Sequence, residues 1–165
     1  MERALELMRR YGFIGEVIQH PHASGKTTEG ASLALGVPAS QVLKCLLFKS
    51  PRGELVGAIV TGDRKVDVKK LRRIFKTGKL RMATPEEVEE ATGFKAGGVP
   101  PFALKELCPV AVDVEVMERE HVYGAAGSEY AGVKFRPHEL LKLGYVVADI
   151  AKRPEALKQG EAAGF

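Results

Sequence analysis

The sequence lacks tryptophan and asparagine, and only two of its 165 residues are cysteines. Neither Cys45 nor Cys108 belongs to a CxxC pair, so the pattern of a disulfide framework is missing. Two reduced cysteines are typical of a reducing compartment, and we expect a cytoplasmic protein. Few amide side chains combined with many Lys, Arg and Glu residues indicate a thermophilic source, because amides are thermolabile.

Long apolar runs are also missing. The amino terminus mixes charges into a helical pattern, and no later run approaches membrane-spanning length, so we expect neither a signal peptide nor a membrane partner. The formal charge of +4 permits a phosphate-bearing partner without requiring one. A hydrophobic content of 45% predicts one compact domain over residues 1–165, with residues 152–165 as a frayed tail.

Several well-known site motifs fail on inspection. Gly25-Lys26-Thr27 looks like the end of a phosphate-binding P-loop, but His20 stands where that motif needs its first glycine. No GxGxxG or GxSxG stretch occurs. His20 and His22 share one side of an extended segment, yet no HExxH motif or cysteine pair completes a four-ligand site. We therefore expect no metal and no cofactor.

Capping and periodicity predict a mixture of helices and strands. The clearest signal is Thr84-Pro85-Glu86-Glu87, a capping box with proline at the first helical position. Hairpin-length turns join several strands, which favours an α+β domain, a single mixed and mostly antiparallel β-sheet with packed helices. Helices are predicted at 2–11, 28–34, 67–75, 85–92 and 137–143, and strands at 16–20, 42–49, 55–61, 80–83, 110–116, 122–126, 133–135 and 145–150.

The strand 42–49 carries a lysine in its middle. Because side chains alternate along a strand, Lys44 shares a face with apolar neighbours, and Cys45 points to the opposite face. The ammonium of such a lysine either reaches water along its methylene stem or binds an oxygen inside a pocket. Cys45 is either a core residue or a thiolate nucleophile activated by the adjacent cation, and the alternation favours the core.

A basic stretch follows the second strand of the hairpin. Helix 67–75 places Lys69, Lys70, Arg72 and Arg73 on its outer side. This surface either contacts a phosphate backbone, extended by Arg64, Lys65 and Lys76, or forms a solvated helix face.

Eight short stretches occur in an order and spacing that are specific as a set. Together they resemble the YbaK/prolyl-tRNA synthetase-associated editing domain, a family that includes freestanding deacylases of mischarged tRNA. They are Thr28-Glu29-Gly30-Ala31, Leu35-Gly36-Val37-Pro38, Val42-Leu43-Lys44, Gly62-Asp63-Arg64-Lys65-Val66-Asp67, Ala83-Thr84-Pro85-Glu86-Glu87, Thr92-Gly93-Phe94, Gly97-Gly98-Val99-Pro100-Pro101-Phe102 and Val147-Ala148-Asp149-Ile150-Ala151.

The resemblance implies roles for individual residues. The expected catalytic residues are Lys44, Gly97 and Gly98. Lys44 contacts the acceptor end of the tRNA, and the two glycines belong to the family's GxxxP loop, which lines the pocket for the terminal adenosine and the aminoacyl group. Substrate-binding positions are Thr28, Val99, Pro100, Pro101, Gly127 and Ser128. The basic stretch supplies backbone contacts from Arg64, Lys65, Lys69, Lys70 and Arg73. Some members carry asparagine after the lysine or histidine in the late glycine turn; Cys45 and Ser128-Glu129-Tyr130 stand here instead, so amino-acid specificity stays open.

The chemistry of ester hydrolysis agrees with this resemblance. A glycine loop allows backbone N–H groups to approach an oxyanion, and prolines hold such a loop in shape. No Ser-His-Asp set is identifiable, so we expect substrate-assisted hydrolysis of Ala- or Cys-charged tRNA(Pro), in trans, with or without a docked synthetase. Two alternatives remain: a non-catalytic module that binds the tRNA acceptor end, and a thiol enzyme that uses Cys45.

Overall fold

A computed structural model describes residues 1–20 and 27–154. Within these ranges the α-helices are α1 (Glu2–Tyr11), α2 (Thr28–Leu35), α3 (Val68–Phe75) and α4 (Pro85–Thr92). The strands are β1 (Glu16–Gln19), β2 (Leu43–Lys49), β3 (Leu55–Thr61), β4 (Arg81–Met82), β5 (Val110–Asp113), β6 (Val122–Ala125), β7 (Ala131–Phe135) and β8 (Val146–Ala148). Short 3-10 helices span Ala39–Gln41, Pro101–Leu104, Val114–Glu118 and Pro137–Leu143.

The strands form two sheets. The smaller sheet has the order β1-β7-β6 and is antiparallel throughout. The larger sheet has the order β4-β2-β3-β5-β8; its first two pairings are antiparallel and its last two are parallel. A single parallel bridge between Val42 and Tyr123 joins the start of β2 to β6. The two sheets therefore meet at the end of β2 that carries Lys44.

The helix boundaries follow from local hydrogen bonds. The Thr84 hydroxyl accepts from the N–H of Glu87, and the Glu87 carboxylate accepts from the N–H of Thr84, which is the predicted capping box. Asp67 caps α3 by accepting from the N–H groups of Lys69 and Lys70. Lys76 ends α3 in the left-handed region, with φ 53°.

The core lies on both faces of the larger sheet. On one face, Leu43 and Leu47 of β2 pack in one cluster with Phe102. The ring centroids of Phe102 and Phe13 are 4.9 Å apart. On the other face, Phe48 packs with Leu71 of α3. The predicted alternation along β2 is confirmed, because successive side chains contribute to opposite clusters.

The predicted α+β class is confirmed, and four of the six strand pairings in the described chain are antiparallel. The mixed, mostly antiparallel strands divide into two sheets, a division that the sequence did not predict because turn chemistry fixes which neighbours pair but not where one sheet ends and another begins. The predicted strand 110–116 stops at Asp113, and the predicted helix 137–143 is a 3-10 helix. None of the described helices is long and apolar enough to cross a membrane.

The predicted tail does not begin at residue 152. The N–H of Lys152 donates to the Lys65 carbonyl at 2.8 Å, and the Arg153 guanidinium binds Asp113 at 2.7 Å. Residues 155–165 of that tail, like His22, lie outside the described residues.

Candidate active site

A cavity of about 240 Å³ opens where the two sheets meet. The first half of β2 forms one wall, β6 and β7 form another, and the first turn of α2 covers the top. The Thr27 hydroxyl caps α2 by accepting from the N–H of Gly30 at 2.9 Å, which fixes that turn over the cavity. The lining includes Thr28, Ala31, Val42, Lys44, Cys45, Gly97, Val99, Tyr123, Ala125, Ala131 and Gly132.

Lys44 is half-buried in this wall, and its ammonium has a defined partner. Nζ donates to the carbonyl oxygen of Arg64, 2.9 Å away, in the loop between β3 and α3. An ammonium has three donors, so two remain for a ligand. The lysine therefore combines the two predicted alternatives: its stem follows the apolar strand, and its head is held at the cavity.

The glycine loop after α4 forms the opposite rim. Gly97 adopts φ 86°, a left-handed conformation that favours glycine. Its N–H has no acceptor among residues 1–20 and 27–154, whereas the N–H of Gly98 donates to the Lys95 carbonyl at 2.8 Å. Of the two glycines singled out in the sequence, only Gly97 has an amide free for a ligand.

Two contacts make this loop rigid. The buried Tyr145 hydroxyl donates to the Pro101 carbonyl at 2.7 Å. Gly124 of β6 lies so close that a Cβ there would stand 2.5 Å from Pro101 Cγ, so only glycine fits. Pro100 and Pro101 are buried behind the rim, where they shape the loop without lining the cavity.

A second, more open depression of about 750 Å³ lies on the outer side of the same loop. The late glycine turn reaches it, because the N–H of Gly127 donates to the Gly98 carbonyl at 3.1 Å. Gly97 borders both spaces. The predicted substrate-binding residues thus divide: Thr28 and Val99 line the cavity, and Gly127 and Ser128 line the depression. Gly98, predicted as catalytic, also lines the depression, together with Phe94 and the exposed Tyr130.

Cys45 lines the cavity, and its surroundings disfavour the thiolate. Burial, with a smaller contribution from Cys108, raises the pKa of the Cys45 thiol far above its ordinary value of 9.0. Burial likewise raises the pKa of Cys108 to about 12. Lys44 is engaged by the Arg64 carbonyl and lowers neither value. Because thiolates are the nucleophilic form, this electrostatic environment favours the core interpretation of Cys45.

The predicted backbone-binding cations have different surroundings. The Arg64 guanidinium donates twice to Glu115, at 2.8 and 3.2 Å, and this hydrogen bonding raises the pKa of Arg64. Lys70 binds Asp149 at 2.9 Å and the Ala151 carbonyl at 2.8 Å. By contrast, Lys65, Lys69 and Arg73 are exposed and have no ion-pair partner in the described chain.

Sequence reasoning missed part of the site. Tyr123, Ala125, Ala131 and Gly132 come from β6 and β7 and complete the cavity wall. The small residues around the late turn were the available signal, but the sheet junction that brings them beside Lys44 was not predictable. His20 is buried and also lines the cavity. Among the described residues, no group of three His, Cys, Asp or Glu side chains is placed to hold a metal.

Comparison with known proteins now identifies the class. Residues 22–143 match the sequence profile of the aminoacyl-tRNA editing domain, and the chain belongs to this family. The chain is thus an aminoacyl-tRNA deacylase, an enzyme that hydrolyses the ester between an amino acid and tRNA.

Three similar proteins narrow the comparison. YwhH of Bacillus subtilis (strain 168), which is uncharacterised, is 35% identical over 131 residues, covering 78% of this chain and 83% of YwhH. Proline–tRNA ligase of Nitratidesulfovibrio vulgaris is 40% identical over 96 residues, covering 58% of this chain but 17% of the ligase. A crystal structure of a proposed trans-editing enzyme for prolyl-tRNA synthetase superposes with TM-score 0.82 at 34% identity, covering 92% of this chain and 96% of that one.

Proposed function

We propose that this protein edits in trans by hydrolysing Ala- or Cys-charged tRNA(Pro) in the cytoplasm. The observation that carries the proposal is the position of Lys44, whose ammonium is held at a small cavity rimmed by Gly97, and the Gly97 N–H has no acceptor among the described residues. The similarity to editing proteins associated with prolyl-tRNA synthesis supports the choice of tRNA.

The size of the cavity favours a small aminoacyl group. At about 240 Å³ it lies below the range of roughly 300–1,000 Å³ that is usual for pockets enclosing a complete small-molecule ligand. Ala125, Ala131 and Gly132 have small side chains, so the available space lies along their wall. Such a space accepts the side chain and ester of a small amino acid and leaves the nucleoside outside.

The outer depression is where we place the terminal adenosine. Gly97 borders both spaces. An ester that lies across the loop at Gly97 therefore places the amino acid in the cavity and the adenosine in the depression. Tyr130 is 52% exposed at its edge and offers a ring on which a base can stack. Base–aromatic stacking contributes about 1–3 kcal/mol per base. Ser128 supplies a hydroxyl on the same side.

In the proposed reaction, water attacks the ester carbonyl carbon and the bond from that carbon to the ribose oxygen breaks. The products are the free amino acid and tRNA with its terminal hydroxyl restored. The Gly97 N–H donates to the oxyanion, and Lys44 orients the ribose or phosphate end. The proton of the attacking water reaches the departing ribose oxygen through a group of the substrate: the ribose 2′-hydroxyl, which accepts one proton as it donates its own, or the amino group, which accepts the proton and then passes it on. This route needs no protein nucleophile, in keeping with the raised pKa of the Cys45 thiol.

The exposed cations of α3 carry the proposed contact with the tRNA backbone. Lys69, Arg72, Arg73 and Lys76 share one helix face and line a common surface depression; we call this set the α3 basic face. The i, i+3, i+4, i+7 spacing extends it over about 10 Å at 1.5 Å per residue. Lys65, exposed on the preceding loop, extends the positive surface.

The direct test is the rate of ester loss from alanyl-, cysteinyl- and prolyl-tRNA(Pro) with substrate in excess over protein. We expect one or both mischarged tRNAs to lose their ester through several turnovers, while prolyl-tRNA(Pro) persists. If all three esters persist and the protein binds the acceptor end, the chain is a non-catalytic binding module. If a Cys45→Ser variant folds normally but has lost all activity, the substrate-assisted route is wrong and the chain is a thiol enzyme.

A further inference from the structure

Six charged side chains form a cluster that the proposed reaction does not use. They converge beside the carboxyl end of β5, and we call them the charge cluster: Arg64, Lys70, Asp113, Glu115, Asp149 and Arg153. Its centre is Asp113, which is 0% exposed and accepts from the N–H groups of Ile150 at 2.9 Å and Ala151 at 3.2 Å. Asp113 also binds Arg153, so its buried charge is compensated on two sides.

Arg64 enters this cluster through Glu115. Its Nε and Nη2 atoms donate to the two Glu115 oxygens at 2.8 and 3.2 Å, the bidentate geometry that makes arginine–carboxylate pairs strong. Glu115 in turn contacts Arg153. Glu115 is held on the other side because its own N–H donates to Asp113 at 3.1 Å. The partly buried Arg64 side chain therefore binds a carboxylate that is itself held in place.

The loop that contains Arg64 is fastened at further points to residues 150–152. The N–H of Asp67 donates to the Ile150 carbonyl at 2.8 Å, and the N–H of Lys152 donates to the Lys65 carbonyl at 2.8 Å. An isolated antiparallel bridge joins Val66 to Ala151. The loop between β3 and α3 is thus held through both its main chain and the Arg64 side chain.

This loop also determines where the Lys44 ammonium lies. The Arg64 carbonyl oxygen accepts from Lys44 Nζ at 2.9 Å, so the residue that binds Glu115 with its side chain binds Lys44 with its main chain. A lysine side chain has four rotatable methylenes, and its head is poorly placed unless a partner fixes it. A displacement of about 1 Å in such a group can reduce the rate by about a hundredfold.

We propose that Arg64 is a positioning residue: it transmits the rigidity of the charge cluster to the carbonyl that orients Lys44 and does not bind tRNA phosphate. The proposal rests on the proposed function of Lys44 and deepens it. It assigns Glu115 and Arg153, two residues without a role in the deacylation step, to the support of the site. It also separates Arg64 from Arg73, which the sequence places in the same basic stretch.

The test compares Arg64→Ala with Arg73→Ala, an exposed arginine of the α3 basic face as the matched control. For Arg64→Ala we expect kcat to fall about tenfold, with KM and the salt dependence of binding to an uncharged acceptor-stem RNA unchanged. Arg64→Lys restores much of kcat, because a single ion pair to Glu115 remains possible. For Arg73→Ala we expect the reverse: a raised KM, a salt slope reduced by about one, and an unchanged kcat.

A double-mutant cycle separates this proposal from the proposed function. In a Lys44→Ala background, Arg64→Ala should cause no further loss, because the group it orients is gone. A full additional loss, or a reduced salt slope for Arg64→Ala, would overturn the positioning role. An active Lys44→Ala enzyme would instead overturn the proposed function of Lys44. Should Arg64→Ala fail to fold, Glu115→Ala removes the same anchor from the other side, and an unchanged kcat in that variant also contradicts the proposal.

Discussion

The charge cluster and the α3 basic face both take cations from the basic stretch 64–76 and differ in how that charge is used. In the cluster, Arg64 and Lys70 bind carboxylates 51 and 79 residues away in sequence. On the α3 basic face, Lys69 and Arg73 have no ion-pair partner within the described residues and remain exposed. One region fixes the loop that holds Lys44, and the other presents free charge to a ligand. A basic stretch in sequence thus contains two kinds of cation, and only the fold separates them.

The largest expected difference between the two regions is in stability. Asp113→Asn removes the buried charge that compensates Arg153, and we expect the free energy of unfolding to fall by about 3 kcal/mol. Arg73→Ala, on the exposed face, should change it by less than about 0.5 kcal/mol. Urea unfolding of both variants measures the contrast. A loss below about 1 kcal/mol for Asp113→Asn would show that the cluster does not stabilise the loop.

The next expected difference is in RNA binding. A Lys69→Ala, Arg73→Ala double variant should weaken binding to an acceptor-stem RNA and lower the slope of log K against log salt by about two. A Lys70→Ala variant is the matched control on the same helix, because its ammonium already binds Asp149. Fluorescence anisotropy over a range of salt concentrations reports both slopes. Equal slopes for the two variants would remove the distinction between free and paired cations.

Much of the fold was predictable because its signals are local. The capping box at Thr84 and the turn before β3 act within a few residues and define their elements directly. The place where the two sheets meet was not predictable, because it depends on a bridge between Val42 and Tyr123, which lie far apart in sequence. The strand pattern of β2 indicated which face Lys44 occupies. Its hydrogen-bond partner could not be predicted, because it is the main-chain carbonyl of Arg64 and a sequence pattern does not show where a loop carbonyl points.

The candidate site was likewise predictable only in part. The resemblance brought Lys44, Thr28, Gly97 and Val99 to one cavity, where the structure places all four. It could not distinguish Gly97, whose amide is free, from Gly98, whose amide binds the Lys95 carbonyl, because that depends on the path of the backbone. Composition likewise did not indicate that Arg64 is paired, since Glu115 lies far away in sequence.

A third group of paired charges extends the comparison to pH. The Glu87 carboxylate accepts from Arg81 at 2.7 and 3.0 Å, from the Thr84 N–H at 2.9 Å and from Lys49 at 2.9 Å, and these bonds lower the pKa of Glu87 well below 4.5. A lowered folded-state pKa stabilises the protein above the unfolded-state pKa, and this contribution is lost as pH falls through the folded value.

Wild type should therefore lose free energy of unfolding more steeply below about pH 4.5 than a Glu87→Gln variant does. Chemical unfolding at a series of acidic pH values compares the two slopes. Parallel slopes would show that the four hydrogen bonds to Glu87 do not distinguish the folded from the unfolded state.

The smallest expected effect concerns Thr77, beside the α3 basic face. Its buried hydroxyl oxygen has no hydrogen-bond partner within the described part of the chain. Thr77→Val keeps the shape and removes the unsatisfied group, so we expect the free energy of unfolding to rise by about 1 kcal/mol. RNA affinity should not change, because the buried Thr77 hydroxyl does not contact the RNA. A weaker RNA complex with Thr77→Val would place the hydroxyl in the binding surface instead.

The most direct test of the account is the deacylation rate of Lys44→Ala beside Lys49→Ala on the mischarged tRNA that the wild type hydrolyses fastest. Both lysines lie on β2, but the Lys49 ammonium binds Glu87 and does not line the cavity. We predict that Lys44→Ala lowers kcat by about a hundredfold or more, while Lys49→Ala stays within about threefold of wild type. If Lys44→Ala retains the wild-type rate, the cavity where the sheets meet is not the site of hydrolysis.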